Sequence, residues 1–473
     1  MAAEAEDTLP DTGLSLDYGN FMAPRLPEGG VDPELLQGPM VRDFARAHAT
    51  VQEARERGEM GFFQLPYQRE SAAAVRDVAD SFGQWFEDVL VLGIGGSTLG
   101  TLSVRDALLG RGWNELSLEE RDHFPRLHVL ENPDPAAVSQ VLDRLDLRRT
   151  LCNVVSKSGS TAETMAQLLV VEGRLRELVG EEKARGHLLL TTDPERGDLR
   201  ALAREKGIPA LPVPPNVGGR FSVLSPVGLL PAAVTGVDVD GMLDGAARME
   251  ARCAVPELPK NPAGLLAVLL HHADRELNLP IHVLMPYTEG LRSFRLWFQQ
   301  LWAESLGKLR RGDAGDEPVG PTPVGAVGPV DQHSLLQLLM EGPRDKATIF
   351  LGVREVDDPV LIPNLHGERG SMAYLGGHTL KALVDTERKA TAEALRRAGR
   401  PNLTLEVERL DAPAMGGLFM LFQIATVYAG ALYGVNPLDQ PGVELGKELT
   451  YGLLGRQGFS APDLLEPDPR WSV

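Results

Sequence analysis

Val91-Leu92-Gly93-Ile94-Gly95-Gly96-Ser97-Thr98 is a short apolar run that ends in a glycine- and hydroxyl-rich turn. The same design returns as Val154-Val155-Ser156-Lys157-Ser158-Gly159-Ser160-Thr161-Ala162-Glu163-Thr164. Each run has the length of a strand, and each turn leads into a helix-length segment. Such a junction points free backbone N–H groups and the positive end of a helix dipole at one spot. Gly95 and Gly96 let the backbone approach a ligand. Ser97, Ser156, Ser158, Ser160 and Thr161 add hydroxyl donors, and Lys157 adds a full positive charge. This chemistry suits a phosphate monoester better than a dinucleotide. Thr98 stands where G-x-G-x-x-G has its third glycine, and no acidic residue follows at the end of the next strand to hold a ribose. A purely structural glycine turn is the simpler reading, but a helix cap needs only one serine.

Outward from these turns, apolar runs fall at Val89–Leu92, Leu127–Leu130, Leu151–Val155, Leu188–Leu190 and Ala210–Val213. Helix-length segments such as Pro135–Leu147 and Thr161–Val179 separate them. The alternation predicts a parallel, doubly wound α/β sheet. Ser160 and Glu163 have the spacing of a capping box. A second alternation starts near Pro262: helix 262–277, strand Ile281–Met285, helix 290–306, strands Thr348–Val353 and Leu403–Val407, helices 378–398 and 412–434. Two α/β units of related organisation are therefore expected. An irregular N-terminal arm precedes a helix near Val41–Arg57. The glycine- and proline-dense stretch Gly312–Pro329 reads as a long loop. The tail after Tyr451 is polar and contains proline.

The chain has 473 residues, 43% hydrophobic and 24% charged, with a net charge of −19. That charge argues against nucleic acid and anionic membranes as partners. Cys152 and Cys253 lack metal-ligand spacing and read as buried free thiols. Met1–Thr12 is acidic and polar, unlike a signal peptide. No run is read as reaching the roughly 20 apolar residues of a membrane span, so a cytoplasmic protein is expected.

Four further segments carry candidate chemistry. Gln300 and Glu304 lie four apart on the helix 290–306 and share a face, which Lys308 would continue. They are either a solvated surface group or a carboxylate and an amide turned into a cleft. Arg220, in Asn216-Val217-Gly218-Gly219-Arg220-Phe221-Ser222, either faces developing negative charge or forms a structural ion pair. His333, in Gln332-His333-Ser334, taken alone reads as a cap or a packed ring at a loop–helix junction. Lys447 closes Leu438-Asp439-Gln440-Pro441-Gly442-Val443-Glu444-Leu445-Gly446-Lys447 and alone reads as solvated.

Together these segments resemble the phosphoglucose isomerase family, in its shorter bacterial style, from about residue 40 to 455. NVGGRFSVLSPVG (216–228) and LDQPGVELGK (438–447) match its two long signatures. The Ser-Lys-Ser-Gly-Ser-Thr turn, Gln-x-x-x-Glu-Ser-x-Gly-Lys and Gln-His-Ser match as well, in the family's order. Leu306 and Gly159 depart from the longer animal type without removing a needed group. The resemblance implies two sugar-isomerase domains, each a parallel sheet between helices. The divisions would be an arm at 1–79 packing on the large domain, a small domain at 80–232, a connection at 233–259, a large domain at 260–440, and a C-terminal helix and tail at 441–473. It implies interconversion of glucose 6-phosphate and fructose 6-phosphate without cofactor or metal. Gly95, Gly96, Ser97, Ser156, Lys157, Ser158 and Thr161 would hold the substrate, chiefly at its phosphate. His333 and Lys447 would open the ring. Glu304 would move the proton between C2 and C1, Arg220 would stabilise the enediolate, and Gln300 would position the open chain. It also implies a homodimer in which His333 comes from the neighbouring subunit. A phosphosugar sensor need not keep Glu304, Arg220 and Lys447 together. A glucosamine-6-phosphate synthase module would need an amidotransferase domain. A dual phosphoglucose/phosphomannose isomerase has threonine where Gln300 stands.

Overall fold

Strand-forming runs that alternate faces, with both faces apolar, fix the centre of the fold. The computed structural model describes residues 10–82, 85–312 and 315–472. Residues 1–9 of the acidic N-terminus and residues 313–314 of the Gly312–Pro329 stretch lie outside the described residues. The strands are β1 (Leu14–Asp17), β2 (Asp88–Leu92), β3 (Arg126–Leu130), β4 (Thr150–Val155), β5 (Leu188–Thr192), β6 (Ala210–Pro212), β7 (Ile281–Pro286), β8 (Lys308–Arg310), β9 (Glu317–Val319), β10 (Thr322–Gly325), β11 (Lys346–Val353) and β12 (Asn402–Val407). One sheet has the order β3-β2-β4-β5-β6, parallel throughout. In it Leu90, Leu92, Cys152, Val154 and Leu190 bury one face, and Val89, Val91, Leu151, Val155 and Leu189 the other. Burial on both sides is what helices on each face of a parallel sheet require. Side-chain caps start the flanking helices: Asp134 accepts from the Ala137 N–H at 2.9 Å, Asn261 from Gly264 at 2.8 Å and Asp411 from Ala414 at 2.9 Å. Each such cap stabilises its helix by about 1 kcal/mol.

The second sheet has the order β1-β12-β11-β7-β10. It corrects two expectations. The N-terminal arm supplies β1, which pairs antiparallel with β12, so this sheet is mixed rather than wholly parallel. The Gly312–Pro329 stretch is not a loop throughout. It holds β9, which forms a hairpin with β8, and β10, which pairs parallel with β7. Short proline-containing strands at a sheet edge leave little periodicity to read, because an edge tolerates residues that cannot donate to the ladder.

The stretch Ala412–Tyr433 corrects a third. This helix is long and apolar enough to cross a membrane by composition, with a mean hydropathy of 1.6 over its most apolar window, but 89% of that window is buried in the protein. It packs against the helices Val239–Cys253, Pro262–Arg275 and Pro39–Glu56. It is apolar all round because it is surrounded. Cys152 and Cys253 are free and buried as expected, and burial pushes both thiols up to about 12.

The helix Phe294–Leu306 carries the site residues. Phe294, Trp297, Phe298, Leu301, Trp302 and Ser305 form its buried face. Trp297 meets Phe419 edge-on at 4.8 Å and Phe298 meets Phe422 at 5.2 Å. This aromatic wedge fixes the rotation of the helix about its axis. Gln300 and Glu304 are therefore presented on the opposite side, toward the turn after β2.

Candidate active site

β2 and β4 are neighbours in the first sheet, and their registered pairing ends at Leu92 and Val154. The chain leaves β2 toward β3 on one side and returns to β4 on the other. The turns after the two strands therefore lie together at a topological switch point, where open α/β sheets bind ligands. Gly95 has φ +58°, a left-handed conformation that disfavours side chains. A Cβ on Gly95 would stand 2.9 Å from Gln300 Nε2. A Cβ on Gly96 would overlap the Gly219 carbonyl carbon at 2.5 Å and the Arg220 nitrogen at 2.7 Å. The two glycines thus press the first turn onto the Arg220 turn and the Gln300 helix. Ser97 ends the same 3-10 turn.

In the second turn, Ser156 Oγ lies 3.0 Å and Ser158 Oγ 3.3 Å from Thr161 Oγ1, and the Gly159 N–H donates to Ser156 Oγ at 3.2 Å. The hydroxyls are thus gathered ahead of the helix Ala162–Val179. The capping box does not form. The N-cap is Thr161, without a side-chain cap bond, and Ser160 Oγ donates to Ser158 at 3.4 Å. Lys157 turns away from these hydroxyls and donates to the Pro215 carbonyl at 2.7 Å. Burial lowers its pKa, and Asp193 partly opposes that shift.

Arg220 is 3% exposed and sits in the turn Gly219–Phe221, anchored by the fully buried Phe221. Its guanidinium donates to Ser305 Oγ at 2.7 Å, Gln440 Oε1 at 3.0 Å, the Pro437 carbonyl at 2.5 Å and the Asp439 carbonyl at 2.9 Å. The last contact is Glu304 Oε2 at 3.4 Å. Burial lowers the Arg220 pKa, while Glu304 and Asp439 oppose the shift. A guanidinium stays charged through such a perturbation. Glu304 Oε1 accepts from Gln300 Nε2 at 3.2 Å. Gln300 Oε1 is buried without a partner among the described residues. The Glu304 side chain keeps 35% exposure, so the carboxylate is held at both oxygens yet open to a ligand.

Sequence reading placed Lys308 on the Gln300–Glu304 face. The helix ends at Leu306, and Lys308 instead reaches the carbonyls of Ser305, Asn436 and Asp439. Ser305 and Gln440, partners of Arg220, lie in the same motifs as Glu304 and Lys447, where spacing alone does not mark them. Lys447 lies on the exposed helix Glu444–Leu453, its ammonium 2.8 Å from Glu444 Oε1. His333 is exposed at the end of the turn Val330–His333, with no ring hydrogen bond among the described residues. The turn itself is firm. Asp331 accepts from the Val327 N–H and from Ser334 Oγ, each at 2.7 Å, and Gln332 donates to the Tyr287 hydroxyl at 2.7 Å. The structure thus brings Arg220, Gln300, Glu304 and the first glycine turn together, and leaves His333 and Lys447 outside that group.

A carboxylate between a buried guanidinium and an amide, beside hydroxyl-lined turns on a two-sheet α/β frame, is a site equipped to move a proton next to a bound anion. A family model described as phosphoglucose isomerase matches residues 75–457. The glucose-6-phosphate isomerase of Carboxydothermus hydrogenoformans is 43% identical over 94% of this chain and 96% of its own length. That of Rubrobacter xylanophilus is 46% identical over 85% of this chain and 90% of its own. A crystal structure of a hypothetical protein from Thermus thermophilus aligns with a TM-score of 0.81 at 39% identity, covering 93% of this chain and 99% of that one. The chain belongs to the phosphoglucose isomerase family.

Proposed function

We propose that this chain interconverts D-glucose 6-phosphate and D-fructose 6-phosphate through a cis-enediolate. The observation that carries the reading is Glu304, held between Arg220 at 3.4 Å and Gln300 at 3.2 Å beside the Gly95–Gly96 turn. A carboxylate suits the shuttle, because the proton it takes from C2 is returned at C1 and the group ends unchanged. The enediolate needs a fixed cation that does not itself lose a proton, which Arg220 supplies. The Arg220–Glu304 contact is the longest of that guanidinium's bonds, so a substrate oxygen enters there at least cost. Gln300, with one amide oxygen unpartnered, orients the open chain. Ser97, Ser156, Ser158 and Thr161, with the Gly95 and Gly96 backbone, hold the phosphate. Lys157 supports their loop from behind and adds charge.

His333 and Lys447 serve ring opening. Among the described residues, Lys447 has only an exposed pair with Glu444 to give up, at a cost of about 0–1 kcal/mol. His333 is held outward on a firm turn, which suits delivery into the site of a second copy. A two-fold homodimer then builds two identical sites. The small domain runs from 80 to 232 and the large from 260 to 440, and the protein works in the cytoplasm without cofactor or metal. A coupled assay of fructose 6-phosphate to glucose 6-phosphate, with and without a chelator, tests the proposal. Steady turnover in both is expected. Absence of turnover refutes the activity, and loss of turnover with chelator refutes its metal independence.

A further inference from the structure

Lys308 is 8% exposed at the side chain, and its ammonium is enclosed by backbone carbonyls and one carboxylate. It donates to the Asp439 carbonyl at 2.8 Å, the Asn436 carbonyl at 3.0 Å and the Ser305 carbonyl at 3.2 Å, and lies 3.3 Å from Asp439 Oδ1. The Asp439 carbonyl is shared, because Arg220 donates to it at 2.9 Å. The Pro437 carbonyl within the same turn takes Arg220 at 2.5 Å, and Gln440 just beyond takes it at 3.0 Å. Three of the five contacts of the guanidinium therefore come from residues 437–440, and Lys308 fastens that stretch from its other side. The turn borders a cleft of about 940 Å³ lined by Gly307, Lys308, Asn436, Asp439 and Pro441. Packing cannot hold it from that flank. Burying an ammonium against carbonyls is costly unless its donors are satisfied. Here they are, and every partner lies in the 436–439 turn or at the end of the Glu304 helix.

We infer that Lys308 is a positioning residue for Arg220: it sets the 436–439 turn so that the guanidinium faces the enediolate. This rests on the assignment of Arg220 made above. A positioning error of about 1 Å costs on the order of 100-fold in rate, so a visible effect follows from a small shift of the turn.

The experiment compares Lys308→Met, Arg220→Met and the double variant in the full-length protein. It measures kcat, KM, affinity for 5-phosphoarabinonate as an enediolate mimic, and affinity for inorganic phosphate. Lys308→Met should lose roughly 10–100-fold in kcat and a similar factor in mimic affinity, with KM and phosphate affinity within about twofold. In the Arg220→Met background it should add almost nothing. Parallel losses for mimic and phosphate, or a full additive loss in the double variant, overturn the inference. If Arg220→Met alone keeps the mimic affinity, the Arg220 assignment falls instead. Should Lys308→Met fail to fold, Asp439→Asn decides. It neutralises the carboxylate that faces Lys308 at 3.3 Å and accepts from Asn436 Nδ2 at 3.0 Å, and it keeps the shared carbonyl. A smaller loss of kcat and mimic affinity at constant phosphate affinity supports the inference, and unchanged kinetics refute it.

Discussion

Glu304 is gripped at one oxygen by a cation and at the other by an amide, so its removal and its neutralisation are different experiments. Glu304→Gln keeps the shape and one of the two acceptor oxygens but cannot accept the proton from C2. Turnover should fall by roughly 10²–10⁴ or more while affinity for inorganic phosphate changes little, measured by steady-state kinetics and phosphate competition. A variant retaining half of the activity would remove Glu304 from its role. Gly96→Ala probes the same site from the opposite wall. Its methyl group must displace the Gly219–Arg220 backbone, which a Cβ would meet at 2.5 Å. The expected result is a kcat loss of at least roughly 10-fold, with a modest fall in the thermal midpoint. Wild-type kinetics would show that the first turn does not bear on Arg220.

At the scale of elements, the aromatic wedge of the helix Phe294–Leu306 converts core packing into catalytic geometry. Trp302 shows this, since its indole N–H donates to Nδ1 of the fully buried His282 at 3.1 Å. Burial pulls the His282 pKa down to about 3. The sign follows directly. Folded His282 stays neutral, whereas in the unfolded chain it takes a proton below about pH 6.5. Its stabilising effect is complete above about pH 6.5 and is lost as the pH falls toward about 3, at about 1.4 kcal/mol per pH unit for the one proton. Denaturant midpoints of wild type and His282→Asn between about pH 7 and about pH 4.5 should therefore converge as the pH drops. Parallel curves would refute the assignment.

What the sequence made legible follows the same physics. β2, β4 and β5 bury both faces and announce themselves as apolar runs. The helix Ala412–Tyr433 was visible as a helix, but its burial depends on partners far off in the chain. β1 and β10 are edge strands of four residues each, held by long-range pairing, so local pattern says little about them. Arg220, Gln300 and Glu304 were readable because their motifs are local. Ser305, Gln440 and Lys308 lay in those motifs too, yet their roles depend on which residue stands opposite, which no spacing records.

For the whole molecule, the separation of His333 from the Glu304 group is the fact to test. Inactive Glu304→Gln and His333→Ala chains, unfolded together and refolded, should form roughly half heterodimers by random pairing. Each heterodimer holds one intact site and one doubly defective site. The mixture should therefore recover roughly a quarter of wild-type activity. Activity equal to the mean of the separate variants would mean that each site draws on one chain alone.

The buried helix Ala412–Tyr433 has a consequence for how the chain is made. On a ribosome the helices it packs against, Pro39–Glu56, Val239–Cys253 and Pro262–Arg275, have all emerged before it. Domains tend to form from the N-terminus as synthesis proceeds. The most membrane-like segment among the described residues therefore emerges with these packing partners already outside the ribosome. Its time as a naked greasy rod, open to targeting machinery or to other nascent chains, is brief. The reverse order would leave it exposed until those helices were made.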